Sequence, residues 1–119
     1  MEYVLLNYVD EGAFAALTKE QQEHGVAAYM SYMEALTKAG VLKGKNRLER
    51  SSSATTVRMT NGKSQVLDGP YADSKEQLGG LFVIDVPDLD AAISWAARCP
   101  AATYGVVEVR PLGKIPVAA

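Results

Sequence analysis

Long apolar runs are missing from this 119-residue chain, and histidine and cysteine, the residues that most often mark metal or thiol chemistry, occur once each. The run Tyr3–Leu6 at the start is far too short for a membrane span or a signal core, and the acid Glu2 precedes it. This points to a cytoplasmic protein with no membrane partner. Cysteine occurs once, at Cys99, which excludes an internal disulfide and a cysteine-built zinc site. Histidine also occurs once, at His24, and no cluster of ligand-type side chains surrounds it. A metal needs several such ligands in defined geometry, so none is expected. Gly79-Gly80 lacks the spacing of a dinucleotide or phosphate loop. With no cofactor fingerprint in the chain, neither haem nor flavin is expected. Basic residues number 12 against 14 acids, without a basic run or an acidic tail. A phosphate-binding face is therefore absent, and nucleic acid is not an expected partner.

What remains is ordinary globular material. Apolar residues make up 48% of the chain and charged residues 22%, enough apolar surface to offset chain entropy. The length suits one domain spanning residues 1–119. Tyr3 to Val9 is β-branched and aromatic and reads as a buried strand, ended by Asp10-Glu11-Gly12. Thr18 and Gln21 fit a capping box, which starts a helix over Lys19–Ala39. Val26, Tyr29, Met30, Met33 and Leu36 follow at helical spacing as its apolar stripe. Gly40 suits the left-handed position that closes it. Gly44-Lys45-Asn46 looks like a turn. Ala54–Thr60 and Ser64–Leu67 flank Asn61-Gly62, a strong hairpin signal. Asp68-Gly69-Pro70 then turns the chain away. Ser74–Gln77 could cap one helical turn closed by Gly79-Gly80. Leu81–Val86 reads as a central strand. Asp88 can cap a helix over Leu89–Arg98, with Leu89, Ala92, Ile93 and Ala96 as its apolar face. Tyr104–Arg110 is the last strand, and Pro111, Gly113 and Pro116 mark a frayed tail.

The order is β-α-β-β-α-β with an added hairpin, an α+β arrangement of the ferredoxin-like kind. Its helices cover one sheet face and leave the other open. Leu5 or Leu6, and Leu81 or Phe82, are candidates for that open face. A second copy is the simplest cover for it, so a homodimer is expected.

The run Asp68-Gly69-Pro70-Tyr71-Ala72-Asp73-Ser74-Lys75-Glu76-Gln77-Leu78-Gly79-Gly80 closely resembles the signature of the YCII-related, or DGPF-domain, family, with Tyr71 where Phe is usual. Tyr3–Leu6, Ala54–Arg58, Leu89–Ala92, Cys99–Ala102 and Gly105–Pro111 resemble it too. The resemblance implies two ferredoxin-like protomers pairing face to face as a dimeric α/β barrel. It also implies a bacterial setting, with many such genes beside extracytoplasmic-function sigma factors, hence a possible regulatory partner. One feature departs from the wider group. The first-helix histidine of that group aligns with Ala28 here, and His24 lies one turn earlier. A histidine acid–base role is not carried over.

Candidate chemistry falls on charged residues. Asp68 can be a turn former or a carboxylate at a cleft mouth, beside Lys75 and Glu76. Asp68 and Glu76 are the candidate proton-transfer groups. Arg58 lies mid-strand, and Glu108 and Arg110 share one face of the last strand. Arg58, Lys75 and Arg110 are the candidate ligand-binding cations, since a guanidinium fork suits a carboxylate. The alternative is that these charges only pair with one another across a dimer. His24 reads as a solvated helix residue. Cys99, at a helix C-terminus where the dipole disfavours a thiolate, reads as structural. Two functions stay open: a small-molecule enzyme or binder with an interfacial cavity for an anionic ligand, and a non-catalytic regulatory module.

Overall fold

The computed structural model describes residues 1–114, so the tail proline Pro116 lies outside the described residues. Strand β1 spans Glu2–Val9, and its alternating residues take opposite environments. Tyr3, Leu5 and Asn7 are buried, whereas Val4, Leu6 and Tyr8 are only partly so. It runs antiparallel to β5 (Gln77–Asp85) on one side and to β6 (Val106–Pro111) on the other. β2 (Leu42–Arg47) adds to the far side of β5, giving the sheet order β2-β5-β1-β6. With β3 (Thr55–Thr60) and β4 (Lys63–Asp68) set aside as a separate two-stranded ribbon, this is the ferredoxin-like order.

Helix α2 (Lys19–Lys38) begins as its sequence dictates. The Thr18 hydroxyl accepts from the Gln21 amide at 3.1 Å, and the Gln21 side chain accepts from the Thr18 amide at 2.9 Å. Gly40, at φ +72°, follows its end. Its buried face differs from the expected stripe. Tyr32 and Leu36 are buried and Tyr29 and Met33 partly so, while Val26 and Met30 are exposed. The reason is Tyr32. Its ring packs edge-on against Phe82 and Trp95, and its hydroxyl donates to the Trp95 carbonyl at 2.7 Å. That contact turns the helix and leaves its N-terminal half projecting past the core. Helix α3 (Leu89–Arg98) is capped by Asp88, which accepts from the Ala91 amide at 2.9 Å. Ala92 and Ala96 face the core, but Leu89 and Ile93 are about half exposed, so the expected apolar face is rotated toward Trp95.

Five local expectations are corrected. Asp10 does more than end β1: it caps a short helix, α1 (Glu11–Ala15). Gly44-Lys45-Asn46 is strand, not turn, because a bulge between Leu42 and Gly44 lets the segment pair with β5. Ser74–Gln77 forms no helical turn. Instead Gly79 and Gly80 lie inside β5, where a Cβ on Gly80 would come within 2.9 Å of the Asn46 carbonyl oxygen. Glycine serves close strand approach there. Tyr104 closes a second short helix, α4 (Ala101–Tyr104), before β6 begins, and Pro111 belongs to β6 and not to a frayed tail.

The two covering helices leave Val4, Leu6, Leu81 and Val83 on the uncovered sheet face, while Leu5 and Phe82 belong to the core. The β3–β4 ribbon stands away from the sheet, and the radius of gyration is 16.7 Å against about 13.5 Å for a compact chain of this length. No helix among the described residues is long and apolar enough to cross a membrane.

The Gly80 contact makes a direct prediction. Gly80→Ala should lower stability by about 2 kcal/mol, since backbone lies on the blocked side and only a strand shift relieves the overlap. Urea denaturation would show this as a lower midpoint at unchanged slope. An unaltered midpoint would mean that β2 and β5 are less tightly apposed than described.

Candidate functional site

Asn61 (φ 52°) and Gly62 (φ 76°) form the tight turn that sets the ribbon's register. Thr60 then opposes Lys63, Arg58 opposes Gln65, and Thr56 opposes Leu67. These last four share one ribbon face. The chain returns over that face at Asp68-Gly69-Pro70-Tyr71, with Gly69 at φ +105°. The Gly69 amide donates to the Ala54 carbonyl at 2.7 Å, and the Thr56 hydroxyl donates to the Gly69 carbonyl at 2.8 Å. The result is a cleft of about 300 Å³ lined by Thr56, Arg58, Gln65, Leu67, the Asp68–Pro70 turn and Tyr71. The Arg58 guanidinium carbon lies 5.8 Å from the centre of the Tyr71 ring, within cation–π reach.

The structure thus brings Arg58 and Asp68 together. Lys75 and Glu76 lie a few residues on, in the loop before β5, Lys75 exposed and Glu76 half-buried. That loop is shaped by the Gln77 side chain, which donates to the carbonyls of Ala72 and Ser74, and by the Ser74 hydroxyl on the Glu76 carbonyl. Arg110 is not part of this group. It opposes Val4 near the start of β1, on the edge strand farthest from β2. The ribbon leaves from the other end of the sheet, after β2 and before β5. Glu108 accepts from the Tyr8 hydroxyl at 3.3 Å on the open face. Among the described residues, ion pairs join the N-terminal ammonium to Asp85 at 2.8 Å and Lys38 to Glu34 at 2.9 Å. None of Arg58, Asp68, Lys75, Glu76 and Arg110 takes part in either, so within one chain these charges do not neutralise one another at short range.

Tyr71, Thr56 and Gln65 are lining residues that were not singled out from the sequence. Counting outward from Asn61-Gly62 pairs 58 with 65 and 56 with 67, so two of the three were within reach. Tyr71 was not, because only the folded turn carries its ring toward Arg58.

The comparisons with known proteins fit this architecture. The YCII-related domain matches residues 1–115. The chain belongs to the YCII-related family. An uncharacterized protein of Rhizobium meliloti (strain 1021), R00369, is 37% identical over 114 residues, covering 94% of this chain and 92% of that one. Among solved structures, the 5-chloro-2-hydroxyhydroquinone dehydrochlorinase TftG of Burkholderia phenoliruptrix AC1100, in complex with 2,5-dihydroxybenzoquinone, superposes with a TM-score of 0.54. It covers 95% of this chain and 94% of its own at 15% identity, a likeness of fold.

Two other features of this YCII-related chain bear on chemistry. His24 and Ala28 are both exposed on α2, away from the cleft residues. Cys99 is buried; its thiol donates to the Asn7 amide oxygen at 3.7 Å, and burial raises its pKa, which suits an inert structural thiol. Burial likewise pushes the pKa values of the Tyr29 and Tyr32 hydroxyls up. Among the described residues no three His, Cys, Asp or Glu side chains converge as a metal site.

The base of the ribbon is held by Glu11. Its carboxylate accepts from the Ser51 hydroxyl at 2.5 Å and the Ser51 amide at 2.8 Å, capping the 3₁₀ turn Ser51–Ser53. Those bonds, with a smaller contribution from Arg50, depress its pKa below the ordinary 4.5. A carboxylate whose folded pKa is depressed stabilises fully above its unfolded value and loses that contribution as pH falls through the folded one. Amide protection of segment 48–54 should therefore drop as pH falls below 4.5 in the wild type. In Glu11→Gln it should already be low at neutral pH. Hydrogen exchange read by mass spectrometry distinguishes these; identical profiles would show that Glu11 does not hold the ribbon base.

Proposed function

We propose that this protein binds a small anionic molecule, and can move a proton on it, as a homodimer paired through its open sheet faces. The observation that carries the ligand reading is Arg58. It sits on a strand-held backbone with no carboxylate within 4.0 Å among the described residues, and Tyr71 flanks its guanidinium. A fork held this way suits a planar carboxylate or enolate, with the Tyr71 ring as a flat neighbour. Asp68 stands at the cleft mouth, with Glu76 and Lys75 in the following loop. A pair of carboxylates beside a bound enol or acid can accept and return a proton, while the cations stabilise the anion that forms. Arg110 joins this site only if a second copy supplies it, given its place at the far end and edge of its own sheet.

The dimer reading rests on Val4, Leu6, Leu81 and Val83, an apolar patch that the chain's helices do not cover. Burying a large apolar side chain contributes roughly 1.5–3 kcal/mol, and a two-fold axis covers the same patch on both copies.

Because the solved neighbour holds 2,5-dihydroxybenzoquinone, that acidic, planar compound is a fitting first probe. Isothermal titration should show saturable binding to the full chain. Arg58→Lys should weaken it by about tenfold or more, since an ammonium cannot reproduce the two-pronged contact. Glu76→Gln should weaken binding or turnover without moving the melting temperature, and His24→Ala should match the wild type. If neither the quinone nor small planar carboxylates bind, or if Arg58→Lys binds them as tightly as the wild type, the ligand reading is wrong.

A further inference from the structure

The ribbon has two faces, and the cleft uses one. On the other lie Val57, Met59 and Val66, which are 62%, 64% and 60% exposed. Every residue of β3 and β4 except Thr56 is exposed. Two strands alone in water are at best marginally stable, and gain stability by packing an apolar face on something else. Yet this ribbon is firmly based: Glu11 holds Ser51 beneath it, and the Leu48 amide donates to the Gly79 carbonyl at 2.9 Å. A fixed root and an uncovered apolar face describe an arm built to reach outward.

We propose that the β3–β4 arm clasps a second copy of this chain through Val57, Met59 and Val66, extending the open-face dimer on which the inference rests. Two arguments select a second copy as the occupant. The arm runs directly into β5, the strand that carries Leu81 and Val83 of the open apolar face, so the two patches are joined along the chain. A two-fold pairing also covers both patches on both molecules at once. The arm's apolar face backs the cleft, so seating it on the partner would stiffen the strands that hold Arg58. Dimer formation and ligand binding are then coupled.

The test compares the full-length wild type with the double variant Val57→Ser/Met59→Ser by sedimentation equilibrium, with His24→Ala as control. Hydrogen exchange of the arm amides is followed across a dilution series. The wild type and the control should be dimeric with protected arm amides, and protection should vanish on dilution to monomer. The double variant should keep its circular dichroism spectrum and raise the dimer dissociation constant by about a hundredfold or more. A double variant that dimerises as tightly as the wild type overturns the clasp and leaves the open-face dimer standing. So do fast-exchanging arm amides in a stable wild-type dimer, which would assign the arm to a different protein partner. A wild type that stays monomeric at tens of micromolar overturns the dimer reading, and the clasp with it. If the double variant unfolds, the wild-type exchange series decides alone.

Discussion

Strand β1 is held on both edges, by β5 and β6, and its strict alternation sorts the molecule into two sides. Tyr3, Leu5 and Asn7 point to the helices, with Leu5 fully buried. Val4, Leu6 and Tyr8 point the other way. A one-residue slip would exchange the two sets and place Leu5 in water. The partner strands repeat the rule, so Phe82, Ile84, Val107 and Val109 join the core while Leu81, Val83, Glu108 and Arg110 stand on the open side. Because α2 and α3 exhaust the helices long enough to cover a sheet, one side is covered and the other is not.

That asymmetry directs the rest. The core behind the sheet is a packed aromatic group in which Tyr32 meets Phe82 and Trp95, and the Tyr32 hydroxyl is satisfied by a carbonyl of α3. It supports the scaffold and offers no reactive group: Cys99 is buried against Asn7, and the buried tyrosines are held neutral. The candidate charged side chains Arg58, Asp68, Lys75 and Glu76 lie outside this core, on the β3–β4 ribbon and the loop that follows, the kind of projected segment that often carries function.

Several elements could be read before folding because their signals are local. Thr18 and Gln21 satisfy backbone groups three residues apart, Asp88 does the same for α3, and Asn61-Gly62 accepts the positive φ a two-residue turn demands. Other features misled because their reasons are distant. Gly79-Gly80 resembles a helix end, yet Gly80 is small because the Asn46 carbonyl lies against it. Gly44-Lys45-Asn46 has turn chemistry, but pairing with β5 outweighs it. The helical stripe through Val26 and Met30 is periodic, but Tyr32 docking on α3 chose a different face for burial.

The candidate site divides the same way. Strand alternation already set Arg58 on the face opposite Val57 and Met59, and the Asn61-Gly62 turn holds the information that puts Gln65, Thr56 and Leu67 beside it. The signature around Asp68–Gly80 already pointed to the YCII-related family. Tertiary structure alone decided that Tyr71 swings to Arg58, that Arg110 stands at the opposite end of the sheet, and that Val57, Met59 and Val66 lack a cover among the described residues. Those outcomes depend on how elements distant in sequence are placed in space. Local spacing carries the hydrogen-bond and dihedral demands of neighbouring residues, and it holds no record of what packs from afar.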